Sequence, residues 1–162
     1  MQQAQSITAA RLRHLLSYDP DTGAFVWVRP SSVRVRVVDV AGTVRNRYVR
    51  IRIDNTSYLA HRLAWLYMTG EWPIDQIDHV NRDKQDNRWA NLRQASASQN
   101  GANCDKRARN TSGHKGVTWH RRNARWQVYV GRTYVGQFDH VEDAAEAYAR
   151  TAAQHYGTYA QA

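Results

Sequence analysis

Residues 77–103 read IDHVNRDKQDNRWANLRQASASQNGAN, and this stretch decides the fold of the middle of the chain. It begins as a short apolar strand that ends in Asp78 and His79, continues as a loop rich in Asp and Asn, and closes with a second strand and a helix. Adjacent side chains of an extended chain point to opposite sides, so Asp78 can hold a cation while His79 offers its imidazole to a water. Asp and Asn oxygens suit Mg²⁺ better than zinc. The stretch therefore indicates, in outline, a phosphodiester site.

Positive charge lies on both sides of this stretch. The 162 residues carry 23 Lys or Arg against 14 Asp or Glu, a formal net charge of +9, and 20 of the 23 cations are Arg. Residues 1–70 hold ten cations and four anions, and residues 104–138 hold eight and one, whereas residues 71–103 hold four and five. Planar guanidinium groups match phosphate geometry, so we expect a nucleic acid partner.

Several classes of protein are excluded by composition. One cysteine, Cys104, leaves no internal disulfide framework and no cysteine-rich zinc site. Apolar runs such as residues 63–68 fall well short of the roughly 18 to 20 residues that span a bilayer, and no secretory signal opens the chain. We therefore expect a cytoplasmic protein without zinc and without a membrane partner. Monomer and dimer both stay open.

The segment before the central stretch is predicted as an N-terminal basic region, residues 1–58. Its expected elements are a short helix over residues 8–17, a strand over 24–28, an arginine-bearing strand or arm over 33–40, and a hairpin of residues 48–53 and 57–60 around Asp54 and Asn55. A further helix over residues 61–69 follows, ended by Gly70.

The segment after the central stretch is predicted as a basic linker, residues 105–112, and a small sheet-plus-helix unit, residues 113–160. Three strands over residues 116–119, 125–130 and 133–138 precede a helix over 142–156, with Asp139 and Glu142 as a capping box. Alternation along the strands turns the Val and Trp side chains toward the helix and the polar and Arg side chains toward solvent. We expect both Trp119 and Trp126 to pack in the core.

Over residues 59–103 the chain resembles the HNH endonucleases of the phage and homing type. The matching features are His61-Arg62-Leu63-Ala64-Trp65, Gly70-Glu71-Trp72-Pro73, Ile77-Asp78-His79, Asp86-Asn87-Arg88, Asn91-Leu92-Arg93 and Ser98-Gln99-Asn100. The resemblance implies a ββα-metal unit over residues 59–104 that holds one divalent ion, Mg²⁺ or alternatively Mn²⁺.

That resemblance also implies roles for individual residues. His79 would be the general base, and Asn91 would fix the loop and orient His79. Asp78 and Asn100 would hold the metal, with Asn103, one helical turn later, as the alternative to Asn100.

Residues 113–157 resemble the ethylene-response-factor (APETALA-type) DNA-binding domain, through Gly116-Val117, Trp119, Trp126, the run from Val135 to Asp139, and Glu142-Asp143-Ala144-Ala145. That family binds DNA through its three-stranded sheet. The positions that the resemblance implies as DNA contacts are Lys115, Thr118, His120, Arg122 and Tyr134, with Arg121, Arg125 and Arg132 as further phosphate partners and Arg107 and Arg109 in the basic linker.

These observations together predict an α+β protein with an HNH catalytic unit and a three-stranded antiparallel sheet packed on one α-helix. We expect it to nick or cut double-stranded DNA in the cytoplasm of a phage or prophage host. The alternative is a non-catalytic, sequence-specific DNA-binding regulator that uses the C-terminal sheet. RNA binding fits less well, because a sheet with Arg side chains suits duplex grooves better.

Overall fold

Residues 7–30, 36–104 and 109–160 are described by the computed structural model. The chain divides into two compact units, Met1–Gln94 and Ala95–Ala162. The elements of the first unit are α1 (Ala9–Leu15), β1 (Leu16–Tyr18), β2 (Phe25–Trp27), β3 (Thr43–Arg45), β4 (Tyr48–Ile53), β5 (Thr56–Leu59), α2 (Ala60–Thr69), β6 (Gln76–His79) and β7 (Leu92–Ala95), whose last residue opens the second unit. Those of the second are α3 (Ala97–Asn103), β8 (Val117–His120), β9 (Arg125–Val130), β10 (Thr133–Phe138) and α4 (Val141–Tyr156). The predicted mixed α+β class is confirmed.

The N-terminal helix α1 is shorter than predicted. Thr8 caps it by accepting a hydrogen bond from the Arg11 amide at 3.2 Å. The helix ends at Leu15 because Leu16 and Tyr18 alternate into the core as β1, which pairs antiparallel with β2. Three closely spaced leucines resemble a continuing helical face, so the periodicity alone missed this strand.

Sheet β3–β4–β5 contains the predicted hairpin. Asp54 and Asn55 both have positive φ, 45° and 65°, as a two-residue turn of the primed type requires. The structure adds an unpredicted edge strand, β3, to the other side of β4. One face of the sheet packs, with α1 and α2, on the core of the first unit.

The predicted strand or arm over residues 33–40 is only partly described. Residues 36–39 form a turn rather than a strand, and Val40 makes an isolated bridge to Val26. Residues 33–35 lie outside the described part of the chain.

The second unit is an antiparallel sheet in the order β10–β9–β8, packed on α4 as predicted. Helix α3 belongs to the same core, since Ala102 is buried in it and the Lys115 ammonium donates to the carbonyls of Ala102 and Cys104. This packing explains why the division between units falls before α3 and not at the predicted boundary after residue 104.

Two details of the second unit differ from the predictions. The N-cap of α4 is His140 without a side-chain cap bond, because the carboxylate of Asp139 instead pairs with Arg125 at 2.9 Å. Trp126 is partly buried against the core, whereas Trp119 is 45% exposed on the edge strand β8. Its ring meets that of Trp126 edge-on at 5.0 Å.

No helix in the described part of the chain is long and apolar enough to cross a membrane.

Candidate active site

Asp78 and His79 end strand β6 and are both buried, 4% and 5% exposed. Strand β6 pairs with β7, and the Val80 amide donates to the Asn91 carbonyl at 2.9 Å just past the end of the strand. The backbone of the two residues is therefore held by a two-stranded ladder, and the loop between the strands, residues 80–91, brings Asn87 to His79.

The loop is built from short Asx turns. Asn81 Oδ1 accepts from the Asp83 amide at 2.9 Å, and Asp83 Oδ1 accepts from the Gln85 amide at 3.0 Å. The carboxylate of Asp86 then accepts hydrogen bonds from Nε and Nη2 of Arg88, at 2.8 and 2.6 Å. This pairing lowers the pKa of Asp86 to about 2. The Asp and Asn side chains of this loop thus accept hydrogen bonds that close its turns.

Asn91 braces this loop from within. Its Nδ2 donates to Asn81 Oδ1 at 2.9 Å and to the Asp86 carbonyl at 2.8 Å, while its Oδ1 accepts from the Asn81 amide at 2.9 Å. These three bonds connect Asn91 to both Asn81 and Asp86 of the loop. Orientation of His79 by Asn91 stays a prediction.

Asn87 is the residue whose amide faces the imidazole of His79. Its Nδ2 donates to the Gln85 carbonyl at 3.1 Å, which turns Oδ1, a pure acceptor, toward His79 Nε2 at 3.4 Å. From this contact we assign the proton of the neutral ring to Nε2. The tautomer assigned in this way leaves the lone pair on Nδ1, the nitrogen that can accept a proton.

Tyr18 and the turn after β1 contact the backbone of Asn87 and its neighbours. The Tyr18 hydroxyl donates to the Asn87 carbonyl at 2.6 Å, and the Trp89 amide donates to the Pro20 carbonyl at 2.9 Å. Gly23, at φ +74°, lies so close that a Cβ there would come within 2.4 Å of the Asn87 and Arg88 backbone. Residues 18–23 are therefore part of the site's support.

A second histidine packs against His79. His61, at the start of α2, meets the His79 ring edge-on with centroids 5.0 Å apart, and the Tyr48 ring lies 5.5 Å from His61. Burial lowers the pKa of His61 to about 3, with the charges of His79 and Arg62 adding to the effect. His61 is thus buried and neutral near pH 7.

The pKa of His79 is also lowered. Burial is the largest cause, and it outweighs the hydrogen bond that Nε2 donates to Asn87 and the nearby carboxylates of Asp78, Asp83 and Asp86, which raise the value. The imidazole is therefore neutral near pH 7 and able to accept a proton.

Asp78 carries the carboxylate of the site. Arg93 on β7 donates from Nε to Asp78 Oδ2 at 2.9 Å, and its Nη2 lies 2.9 Å from the same oxygen as an ion pair. Among the described residues no group of three His, Cys, Asp or Glu side chains could hold a metal. A cation here would rest on Asp78, amide oxygens, water and phosphate, a donor set that fits Mg²⁺ or Mn²⁺, since Mg²⁺ keeps several waters and needs only one or two carboxylates.

The second predicted metal ligand lies in the second unit. Asn100 is half-buried on α3, and its backbone amide donates to the Ser96 carbonyl. Asn103, the alternative, is 1% exposed at the end of the same helix. The pairing of either residue with Asp78 stays a prediction.

Most predicted DNA contacts lie on the solvent side of sheet β8–β10 or at its turns. Thr118 and Tyr134 are exposed, His120 is half-buried, and Arg121, Arg122 and Arg132 are exposed. Arg125 is ion-paired with Asp139. Lys115 does not join this face, because its ammonium caps carbonyls at the end of α3. Arg109 is exposed, and Arg107 lies outside the described residues.

Sequence reasoning missed Asn87 and Tyr18 as parts of the site. Asn87 stood within the quoted Asp86-Asn87-Arg88 match, so a signal was present but pointed to no particular contact. Tyr18 lies 69 residues from Asn87 in the sequence, and no local sequence pattern indicates a contact over that separation.

Residues 58–102 match the family described as HNH endonuclease, a segment that covers less than half of the chain and contains Asp78, His79, Asn91 and Asn100. Comparisons with curated proteins and with solved structures found no match. Residues 58–102 are thus an HNH endonuclease domain, and the protein is a nuclease that hydrolyses phosphodiester bonds.

Proposed function

We propose that this nuclease is a divalent-metal-dependent endonuclease that nicks or cuts double-stranded DNA. The observation that carries the proposal is the buried imidazole of His79, in contact with Asn87 and next in the chain to the buried carboxylate of Asp78. From the resemblance alone, we further propose an intracellular enzyme of the phage and homing type.

His79 is the general base of this proposal. With Nε2–H directed at Asn87, Nδ1 takes a proton from the attacking water, which raises the nucleophilicity of that water toward the phosphorus. Asn91 keeps the loop closed, so the imidazole does not turn away from the substrate.

Asp78 is the residue that would hold the metal, together with Asn100 or Asn103. A divalent ion bound there supplies charge stabilisation to the scissile phosphate and the leaving oxygen. Arg93, held on the same carboxylate, limits the negative charge of the pocket before the ion arrives.

The second unit would hold the duplex through the solvent face of its sheet. Exposed Arg121, Arg122 and Arg132 at the strand turns suit phosphate contacts, and Thr118, His120 and Tyr134 on the strands suit contacts inside a groove. The ion pair of Arg125 with Asp139 would have to open for Arg125 to reach a phosphate.

A plasmid assay tests the proposal. Supercoiled plasmid is incubated with the full-length protein and Mg²⁺, Mn²⁺ or EDTA, and we expect nicked or linear products only with a divalent ion. Gel-shift binding of the same DNA is measured in parallel. Binding without cleavage under every metal condition would contradict the enzyme and support the DNA-binding regulator.

A further inference from the structure

We propose that the first unit has its own DNA-backbone surface, the outer face of sheet β3–β4–β5, which leads the phosphate chain to His79. This inference rests on the proposed function and assigns phosphate contacts to Arg45, Arg50 and Arg52. It extends the nucleic acid interface beyond the second unit, to a segment before the family match.

The strand register separates the two faces of the sheet. Val49, Ile51 and Ile53 point to the core, so Tyr48, Arg50 and Arg52 point outward from β4. The neighbouring strands add to the same face, where Arg45 lies opposite Tyr48 and Ser57 lies opposite Arg52. Three arginines thus share one face of a rigid sheet.

This face continues into the catalytic site. The Tyr48 ring, in line with the arginines, lies 6.4 Å from the His79 ring and 5.5 Å from that of His61. The Lys84 ammonium of the loop sits 4.9 Å above the centre of the Tyr48 ring. A backbone bound along Arg52, Arg50 and Tyr48 would therefore arrive beside the proposed base.

The guanidinium groups of this face are not neutralised by described carboxylates. Arg11, Arg88 and Arg93 of the same unit each pair with an Asp. Within the described residues Arg45, Arg50 and Arg52 form no ion pair. The outward residues of the sheet include no Asp or Glu; they are Thr43, Arg45, Tyr48, Arg50, Arg52, Ser57 and Leu59.

Two guanidinium donors of this face have a weak acceptor or none among the described residues, which favours an anionic ligand with many acceptor oxygens. Arg52 donates to the amide oxygen of Asn55 at 3.4 Å, a weak partner for a guanidinium. The Nε of Arg50 is buried and has no hydrogen-bond acceptor among the described residues. Phosphodiester oxygens satisfy planar guanidinium donors two at a time, so we assign the face to the DNA backbone.

The salt dependence of DNA binding tests this assignment. The background is the full chain with His79→Ala, which we expect to bind duplex and to cut it at least about 100-fold more slowly. The triple substitution Arg45→Gln, Arg50→Gln, Arg52→Gln is placed on that background. Each lost phosphate contact lowers the slope of log affinity against log salt by about 0.9. Between 50 and 200 mM salt we expect the parent to lose about 40-fold more affinity than the triple variant.

Controls separate this effect from unfolding and from general charge. Arg150→Gln removes an exposed cation of α4 that pairs with Glu146, and it should leave the slope unchanged. Single Arg45→Gln and Arg52→Gln, both at exposed positions, guard against misfolding of the triple variant. Metal-dependent cleavage by the wild type with an unchanged slope in the triple variant would overturn the surface and leave the proposed function standing. Absence of cleavage by the wild type would instead count against the proposed function.

Discussion

The Nε2 atom of His79 lies 3.4 Å from Oδ1 of Asn87, and the amide nitrogen of Asn87 is held by the Gln85 carbonyl. Asn87 therefore fixes both the orientation of the imidazole and the nitrogen that carries its proton. We expect Asn87→Ala to slow cleavage by about 10- to 100-fold, the usual cost of losing a residue that orients a catalytic group. Single-turnover cleavage with pre-bound DNA measures this, and DNA affinity should stay unchanged.

A conservative variant distinguishes positioning from simple loss of structure. Asn87→Asp keeps an acceptor for Nε2–H and adds a negative charge, which favours the imidazolium and raises the pKa of His79. Its rate profile should shift to higher pH and recover part of the activity. Nitrogen NMR of the wild type should show the Nε2–H tautomer, and a dominant Nδ1–H form would refute this role of Asn87.

Gly23 gives a test of the N-terminal support. Gly23→Ala places a methyl group within 2.4 Å of the Asn87 and Arg88 backbone, in addition to the strain of a positive φ. We expect steric overlap in Gly23→Ala to lower the free energy of unfolding by about 1 to 3 kcal/mol, in addition to the backbone strain. We also expect a lower cleavage rate, because the loop that carries Asn87 must move.

Gly70 is the matched control for this substitution. It also has a positive φ, +85°, but a Cβ there meets nothing within 4 Å. Gly70→Ala should therefore cost only the backbone strain, about 1 to 2 kcal/mol, and should leave the cleavage rate of the folded protein unchanged. Denaturant unfolding measures both variants. Equal losses of stability would contradict the close approach at Gly23.

Burial of His61 makes the fold acid-sensitive. Because the pKa of His61 in the folded protein, about 3, lies below the ordinary value of 6.5, unfolding takes up a proton between these values. The contribution of neutral His61 to the free energy of unfolding is fully present above pH 6.5. It is lost progressively as the pH falls toward 3, and the total loss is at most about 5 kcal/mol. Tyr48 and His79 face the ring, and His79 adds a loss of the same sign.

His61→Phe measures the His61 share, since it keeps an aromatic ring against Tyr48 and His79 but cannot titrate. Unfolding free energies at pH 7 and pH 5 should differ less in this variant than in the wild type. His155→Gln, at an exposed position of α4, serves as the control and should retain the full wild-type difference. If the unfolding free energy of His61→Phe fell between pH 7 and pH 5 as much as that of the wild type, His61 would not be the source of the acid sensitivity.

The local elements of the chain were largely predictable. Strands β9 and β10 have the predicted bounds. Strand β9 alternates as expected and buries Val128 and Val130, whereas a bulge between Tyr134 and Gly136 interrupts the alternation of β10, whose Val135 and Phe138 are partly buried. The Asp54-Asn55 hairpin and the α2 stop at Gly70 follow from residues that tolerate positive φ. Strand β3, exposed along its whole length, has no buried side to reveal it and was missed.

The candidate site was predictable in its residues but not in its connections. Asp78 and His79 are adjacent in the sequence, and their chemistry can be recognised from residue type. The contact of Tyr18 with Asn87 depends on how β1 packs on the loop, which no local pattern reports. Trp119 was expected in the core, but it lies on edge strand β8 and is 45% exposed, since alternation does not tell an edge strand from a central one.

Plasmid cleavage by His79→Ala, compared with the wild type and with His140→Ala, tests the central claim most directly. His140 is an exposed histidine that makes no cap bond to α4, so His140→Ala controls for the loss of an imidazole. With Mg²⁺ or Mn²⁺ and pre-bound DNA, we predict that His79→Ala cuts at least about 100-fold more slowly at unchanged affinity, while His140→Ala cuts at the wild-type rate. Wild-type cleavage by His79→Ala would contradict the assignment of His79 as the base.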